Sequence, residues 1–369
     1  MRAAVLEAVG RDFVIDDVDL RDPGPGEITV DVAACGACHS DLSVADGSFP
    51  QPLPIVLGHE AAGTVAAVGP GVRHLAPGQP VILTPAPPCN RCYWCVRGEH
   101  SLCADVTASL YTAALPDGTT PLSRGGAPLH RGLAVGAFAE RVLTMESGAV
   151  PIPTDVPLDV ACVIGCAVQT GVGAVLNTAR APEGATAVVF GAGGIGLSVT
   201  QGLRLAGASL VMVVDPVADR RDAAERFGAT HTFDPHDDDL VDDQIRDLTH
   251  GIGADFAFEA AGRAALIEAG LQLIRRGGTV VCVGAPPVSE SISIYGVVGF
   301  AASEKKLVGC LLGSSNSHRD IPRLVALWQA GRLDLEGMIT NRVPLDDINH
   351  AFDDLRDRKG IRTVVEIAK

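Results

Sequence analysis

Two hydrophobic patterns divide the chain. Over residues 1–85 apolar positions come in short β-type runs, at 3–6, 13–17, 28–34, 63–68 and 81–83, broken by Gly- and Pro-rich stretches at 23–27, 49–54 and 77–80. Short strands with turn residues at this spacing predict a compact β-rich domain rather than a βαβ unit. From residue 187 strand and helix patterns alternate. Strands are predicted at 187–190, 210–214, 230–233, 255–259, 279–283 and 306–311, and helices at 197–206, 219–227, 240–249 and 263–274. That alternation predicts six parallel strands with helices on both faces, a doubly wound α/β sheet. An apolar helix is expected over 172–178, and residues 104–136, rich in Gly, Pro, Thr and Leu, read as one long loop. The tail predicts helices over 320–330 and 346–358 and a strand over 363–367. It is too small to fold alone and is expected to rejoin the first domain. The expected domains are 1–167 with 312–369, and 168–311.

The turn between the first two parallel strands carries the first chemistry. Gly191-Ala-Gly193-Gly194-Ile195-Gly196 follows a strand and opens a helix, and Asp215 ends the next strand. Such glycines allow a tight turn, a close approach of backbone to a pyrophosphate, and close packing of helix on strand. The helix N-terminus offers free N–H groups and a positive dipole end to the phosphates. An acid about 20 residues on accepts bonds from ribose hydroxyls and repels a 2′-phosphate, so the pattern predicts a dinucleotide site that prefers NAD.

Length and charge narrow the class. A chain of 369 residues is long for one core. Apolar residues make up 47% and aromatics 4%, so the cores are expected to be aliphatic. A net charge of −15 argues against nucleic acid or anionic membrane as partner. Residues 1–13 lack a signal-peptide pattern and no 18-residue apolar span occurs, so a cytoplasmic protein is expected. In that setting the ten cysteines read as metal thiolates rather than disulfides.

The cysteines and histidines fall into clusters. Cys89, Cys92, Cys95 and Cys103 can wrap one tetrahedral Zn²⁺ with no open position, a structural site. An Fe–S cluster or a nucleic-acid zinc module are the alternatives; the spacing differs from the bacterial ferredoxin run, and the chain is acidic. Cys38, with His39, Ser40 and Asp41, and His59-Glu60 offer the thiolate, imidazole and carboxylate groups of a catalytic zinc site. Cys166, just before the apolar helix and between the two patterns, is the natural third ligand.

These residues together resemble the zinc-dependent medium-chain alcohol dehydrogenases over nearly the whole chain. The resembling segments are 36–41, 58–63 (GHEAAG), Gly165-Cys166, the lobe 89–103, the turn 191–196 with Asp215, and 362–364. The resemblance implies a GroES-like β-rich catalytic domain, a Rossmann domain, two zinc ions per chain and NAD. It implies that Cys38, His59 and Cys166 hold the catalytic zinc and that Asp41 orients His59. Glu60, held by Arg362, would be an alternate ligand, and Ser40 would take the alcohol proton. It places Thr170 and Ile195 against the nicotinamide, His39 at the pyrophosphate and Arg220 near the adenosine ribose. Phe49 and Leu312 would wall the substrate cleft, where Pro85 and Ala285 leave room for bulky alcohols. One departure is Ser43, where the family's proton relay has a His; His39 or a water path would then finish the relay.

The function implied is reversible, NAD-dependent oxidation of a primary or secondary alcohol by a homodimer or homotetramer. The alternative is a thiol-dependent formaldehyde dehydrogenase acting on a hydroxymethyl thiol adduct. That activity needs a polar cleft for the thiol's carboxylates, for which Arg124 and Arg131 are candidates. A non-catalytic binding protein with a vestigial site is a third reading, opposed by the intact Cys38, Ser40, His59 and Cys166.

Overall fold

The β-type runs of the N-terminal third pair with one another in the computed structural model, which describes residues 1–236 and 241–367. The chain divides into two units, Met1–Cys166 with Asn316–Lys369, and Ala167–Ser315.

In the first unit the long strand Glu27–Gly36 is the centre of a seven-stranded sheet. It pairs antiparallel with Glu60–Val68, Arg141–Met145 and Arg362–Glu366, and the last of these pairs in parallel with Ile339–Pro344. The C-terminal tail thus supplies two strands to a sheet begun near residue 27. A second group of strands runs in the order Val14–Asp17, Arg2–Leu6, Ile55–Val56, Ala127–Arg131, Leu122–Arg124, Asp19–Leu20. Apolar side chains such as Ile28, Val30, Leu57, Phe138 and Phe352 fill the core, with the rings of Phe13 and Phe352 centred 4.6 Å apart.

Residues 104–136 are not one loop. Ala104–Thr112 is a helix, and Leu122–Arg124 and Ala127–Arg131 form a hairpin with Arg124 opposite Ala127. The two residues between them, Gly125 and Gly126, both take positive φ, 56° and 81°, as a two-residue turn matched to strand twist requires. A short helix, His39–Ala45, also forms where only a cluster of polar residues was evident; its buried Leu42, Val44 and Ala45 explain it.

The second unit is a six-stranded sheet, parallel throughout. Its order is His231–Phe233, Leu210–Val214, Thr186–Phe190, Ala254–Glu259, Ile274–Cys282, Lys306–Gly309. The inner strands Leu210–Val214 and Thr186–Phe190 are near-continuous apolar runs, as expected where a sheet is covered on both faces. Helix Gly194–Ala206 follows the glycine turn and stops at Gly207. The helix expected over 172–178 is α-helical over Ala167–Gly173 and continues as a π-helical turn, Ala174–Ala179. Helix Val241–Leu248 matches the expectation for 240–249 from residue 241 onward; Leu240 lies outside the described residues. Among the described residues no single helix is long and apolar enough to cross a membrane.

Candidate functional site

Four ligand-bearing side chains of the first unit converge. Cys38, His59, Glu60 and Cys166 are all buried, and one ligand atom from each lies within 4.8 Å of all the others. Local structure explains how three separate stretches meet. Cys38 stands just after the central strand and precedes helix His39–Ala45 in an extended conformation. Glu60 begins the neighbouring strand directly opposite Gly36. A Cβ on Gly36 would lie 2.3 Å from Glu60 Oε2, so the carboxylate folds across a position that only glycine leaves open. His59 precedes that strand, and Cys166 follows the tight turn Cys162–Gly165.

Charged groups of the same unit hold this cluster. Asp41 Oδ1 lies 3.1 Å from His59 Nδ1 and accepts the Gly58 N–H at 2.9 Å. Asp41 is fully buried, and its Oδ2 has no hydrogen-bond partner among the described residues. Arg362 Nη2 lies 3.5 Å from Glu60 Oε1, and Arg362 Nη1 donates to Ala37 O at 2.8 Å. Burial pushes the Glu60 carboxyl up to about 8, while Arg362 pulls it down. The hydrogen bond between the two thiols draws Cys38 well below the ordinary thiol range and holds Cys166 well above it. Cys38 Sγ is 3.8 Å from Ser40 Oγ. Two sulfurs, an imidazole nitrogen and a carboxylate, convergent and shielded from water, fit Zn²⁺ in both number and type of donor.

Cys89, Cys92, Cys95 and Cys103 also converge within 4.8 Å. Cys89 N donates to Cys103 Sγ at 3.4 Å, and the sulfurs of Cys89 and Cys95 are 4.0 Å apart. Backbone N–H groups, Ala104 first and then Cys95, lower the half-buried Cys92 thiol to about 6, as suits a thiolate donor. Tyr93 and Val96 are exposed and leave the lobe little apolar core of its own. Four thiolates and no other donor fit a structural zinc.

In the second unit Gly191, Gly193, Gly194, Ile195 and Gly196 form the turn and first residues of helix Gly194–Ala206. A Cβ on Gly196 would lie 1.7 Å from Gly191 O, whereas one on Gly193 would meet nothing within 4 Å. The first glycine is needed for packing, and the second leaves backbone open to a ligand. Asp215 Oδ2 accepts from Ala192 N at 2.7 Å and Oδ1 from Val217 N at 2.8 Å, which fixes the acid beside the turn. These features fit a dinucleotide. Arg221 donates to Asp215 O at 2.8 Å and pairs with Asp234 at 2.7 Å. Arg220 is half-buried on the same helix, Ala218–Phe227, and Thr170 is buried in helix Ala167–Gly173. His39 is exposed and Arg362 is buried, both in the first unit.

Two expected cations are occupied elsewhere. Arg124 pairs with Glu7 and Asp16, and Arg131 is fully buried, donating to Leu143 O at 3.4 Å. Neither of these side chains is left to meet a substrate carboxylate. Sequence reasoning passed over Glu259, a buried acid that ends the strand Ala254–Glu259; an acid closing an apolar strand is the signal that could have flagged it.

The comparisons with known proteins agree with this geometry. Residues 24–154 match the alcohol dehydrogenase GroES-like domain, and residues 194–330 match the zinc-binding dehydrogenase family. The chain is 37% identical over 372 residues to an S-(hydroxymethyl)glutathione dehydrogenase of Paracoccus denitrificans, covering 99% of each chain. It is 37% identical to an NDMA-dependent alcohol dehydrogenase of Amycolatopsis methanolica, covering 99% of this chain and 98% of that one. Among solved structures, benzyl alcohol dehydrogenase from Acinetobacter calcoaceticus superposes with a TM-score of 0.94 at 32% identity. That match covers 100% of this chain and 99% of the other.

Proposed function

We propose, for a chain that belongs to the zinc-dependent medium-chain alcohol dehydrogenase family, that it oxidises primary or secondary alcohols reversibly with NAD. The observation that carries this reading is the buried convergence of Cys38, His59, Glu60 and Cys166 beside Ser40. When bound, zinc supplies Lewis acidity toward an alcohol oxygen and the nicotinamide accepts the hydride. The chain's own residues do the rest. Cys38, His59 and Cys166 hold the metal, and Asp41 fixes the ring of His59. Arg362 keeps Glu60 beside the cluster, where it is an alternate ligand. Ser40 takes the alcohol proton through its hydroxyl and passes it outward. His39 or a water path completes the relay, because Ser43 offers no base of neutral pKa.

NAD is preferred because Asp215 puts a negative charge where NADP carries its extra phosphate, and Arg221 is already paired with Asp234. Gly191, Gly193, Gly194, Ile195 and Gly196 receive the pyrophosphate. Thr170 and Ile195 press on the nicotinamide and Arg220 lies toward the adenosine, with His39 and Arg362 as further cofactor-binding residues. The small residues Pro85 and Ala285 and the apolar Phe49 and Leu312 favour bulky or aromatic alcohols as substrates.

The second reading, oxidation of a hydroxymethyl thiol adduct, is supported by the similarity to the Paracoccus enzyme. The pairing of Arg124 and the burial of Arg131 count against it. The test is NAD reduction across a panel of aliphatic and benzylic alcohols and formaldehyde–thiol adducts, with metal analysis of the same sample. Turnover of alcohols with two zinc ions per chain is expected. Adduct-only turnover overturns the alcohol reading, and no turnover with both zinc ions bound overturns the enzymatic one.

The chain acts as a homodimer or homotetramer in this proposal. Supporting it, Val288, Tyr295, Val297 and Val298 are each more than three-quarters exposed, an apolar run rare on monomers. Sedimentation should give a dimer or larger; a monomer at micromolar concentration contradicts it. Ten cysteines, six of them zinc ligands in this reading and none in a disulfide among the described residues, suit the cytoplasm.

A further inference from the structure

Glu259 is fully buried at the end of a strand in the second unit. A carboxyl there needs a reason, because burying an acid costs far more than burying an apolar side chain of the same size. Its Oε1 accepts the backbone N–H of Ala261 at 2.8 Å and that of Arg263 at 3.2 Å. Its main-chain oxygen accepts from Val283 at 2.9 Å and Gly284 at 2.8 Å. One residue therefore ties the turn after its own strand to the end of the neighbouring strand, Ile274–Cys282. The other side-chain oxygen, Oε2, is buried without a hydrogen-bond partner among the described residues, and a Cβ on Gly284 would lie 2.6 Å from it. Burial raises the carboxyl's pKa, the N–H groups of Ala261, Arg263 and Gly262 oppose the rise, and Glu290 adds to it.

The position matters more than the burial. Strand Ala254–Glu259 lies beside Thr186–Phe190, where the strand order reverses from one side of the sheet to the other. Open parallel sheets receive dinucleotides beyond the carboxyl ends of their strands at such a switch point. Phe190 O accepts the Ala260 N–H at 2.9 Å, and a Cβ on Gly191 would lie 3.1 Å from Ala261 Cβ. The turn that Glu259 holds is thus packed directly against the glycine turn.

We propose that Glu259 is a positioning residue for the nicotinamide cofactor: its carboxyl fixes the turn 260–263 against the glycine turn and so preforms the mouth of the sheet. The proposal rests on the dehydrogenase reading above. An apolar residue in its place would fill the volume but leave the N–H groups of Ala261 and Arg263 buried without acceptors, and the turn would have to rearrange to satisfy them. A glutamine keeps a carbonyl oxygen for both N–H groups. Binding to a preformed site avoids the cost of ordering it, and that saving is what the variants remove or keep.

The experiment is fluorescence titration of wild type, Glu259→Ala and Glu259→Gln with NADH, together with kcat, cofactor KM and Tm. Glu259→Ala is expected to raise the NADH Kd and the NAD KM by about tenfold or more, the loss of two hydrogen bonds to a charged group. Its kcat is expected to change less. Glu259→Gln should stay within about threefold of wild type, the conservative rescue that a positioning role demands. Should Glu259→Ala fail to fold, Glu259→Asp, which cannot reach both N–H groups, takes its place and must weaken NADH in the same way. A folded Glu259→Ala that binds NADH as wild type does overturns the proposal, and so does a Glu259→Gln as weak as Glu259→Ala. A wild-type chain that binds no NADH overturns the dehydrogenase reading, and this one with it.

Discussion

A single oxygen of Asp41 binds both the ring of His59, at 3.1 Å, and the backbone N–H of Gly58, at 2.9 Å. The imidazole and the peptide that carries it are therefore oriented by the same buried acid. Removing the acid should loosen the metal without dismantling the sheet. Asp41→Ala is expected to weaken the affinity of the buried cluster for zinc by about 10–100-fold, the usual cost of losing a partner behind a metal-bound histidine. Asp41→Asn, which keeps an oxygen acceptor, should fall between. Competition with a chelator measures both, and wild-type affinity in Asp41→Ala would show that His59 needs no such support.

The four-cysteine lobe should behave differently from the buried cluster. Cys92→Ser is expected to lower zinc content from two ions per chain to one and to lower Tm, because the lobe has little core besides its metal. His59→Ala should also leave one zinc, yet with Tm near wild type and activity lost. Metal analysis, melting curves and turnover on the two variants distinguish them. Equal melting temperatures for wild type and Cys92→Ser would remove the structural role.

Cofactor choice is predicted to hinge on Asp215. Its two oxygens are anchored by Ala192 and Val217, so the charge cannot swing away from an incoming phosphate. Asp215→Gly should narrow the ratio of kcat/KM for NAD over NADP by about tenfold or more, mainly through weaker NAD. An unchanged ratio would place the discrimination elsewhere.

Ser40 and Ser43 test the proton path. Both lie on helix His39–Ala45, three residues apart on one face, but only Ser40 reaches Cys38, at 3.8 Å. Ser40→Ala is expected to cut alcohol oxidation by about 10²–10⁴, the range for lost proton-transfer assistance, while Ser43→Ala changes little. Ser43→His should raise the rate most below pH 8, where an imidazole of pKa about 6.5 can accept the proton. A pH–rate profile with deuterated alcohol isolates hydride transfer. Equal losses in the two alanine variants would make Ser43 a working member of the relay.

What was legible in the sequence was what depends on near neighbours along the chain. The glycine turn, Asp215 and the four cysteines declare themselves because their chemistry is set by spacings of a few to about 20 residues. The parallel strands are apolar enough to show without partners. The hairpin Leu122–Arg124 and Ala127–Arg131 was hidden although Gly125-Gly126 is a turn signal, because its strands are short and one contains Pro128. Arg124 looked available because its partners, Glu7 and Asp16, lie more than 100 residues away. Arg131 and Glu259 are charges in a core, and composition gives no warning of burial at a single position.

The strand Arg362–Glu366 has a consequence for how the chain is made. It sits between Glu27–Gly36 and Ile339–Pro344, and the bond from Arg362 to Ala37 closes a separation of 325 residues. A ribosome adding about 5–20 residues per second needs roughly 15–65 s to cover that distance. Throughout that interval the growing polypeptide carries Cys38, His59, Glu60 and, later, Cys166, without the guanidinium that neutralises the carboxylate. It also leaves residues 34–36, the end of the central strand that leads to Cys38, without their partner strand. A message cut short before codon 362 yields a product with every metal-binding residue and no means of closing the sheet around them, and such a product is a substrate for chaperones and proteases rather than an impaired enzyme.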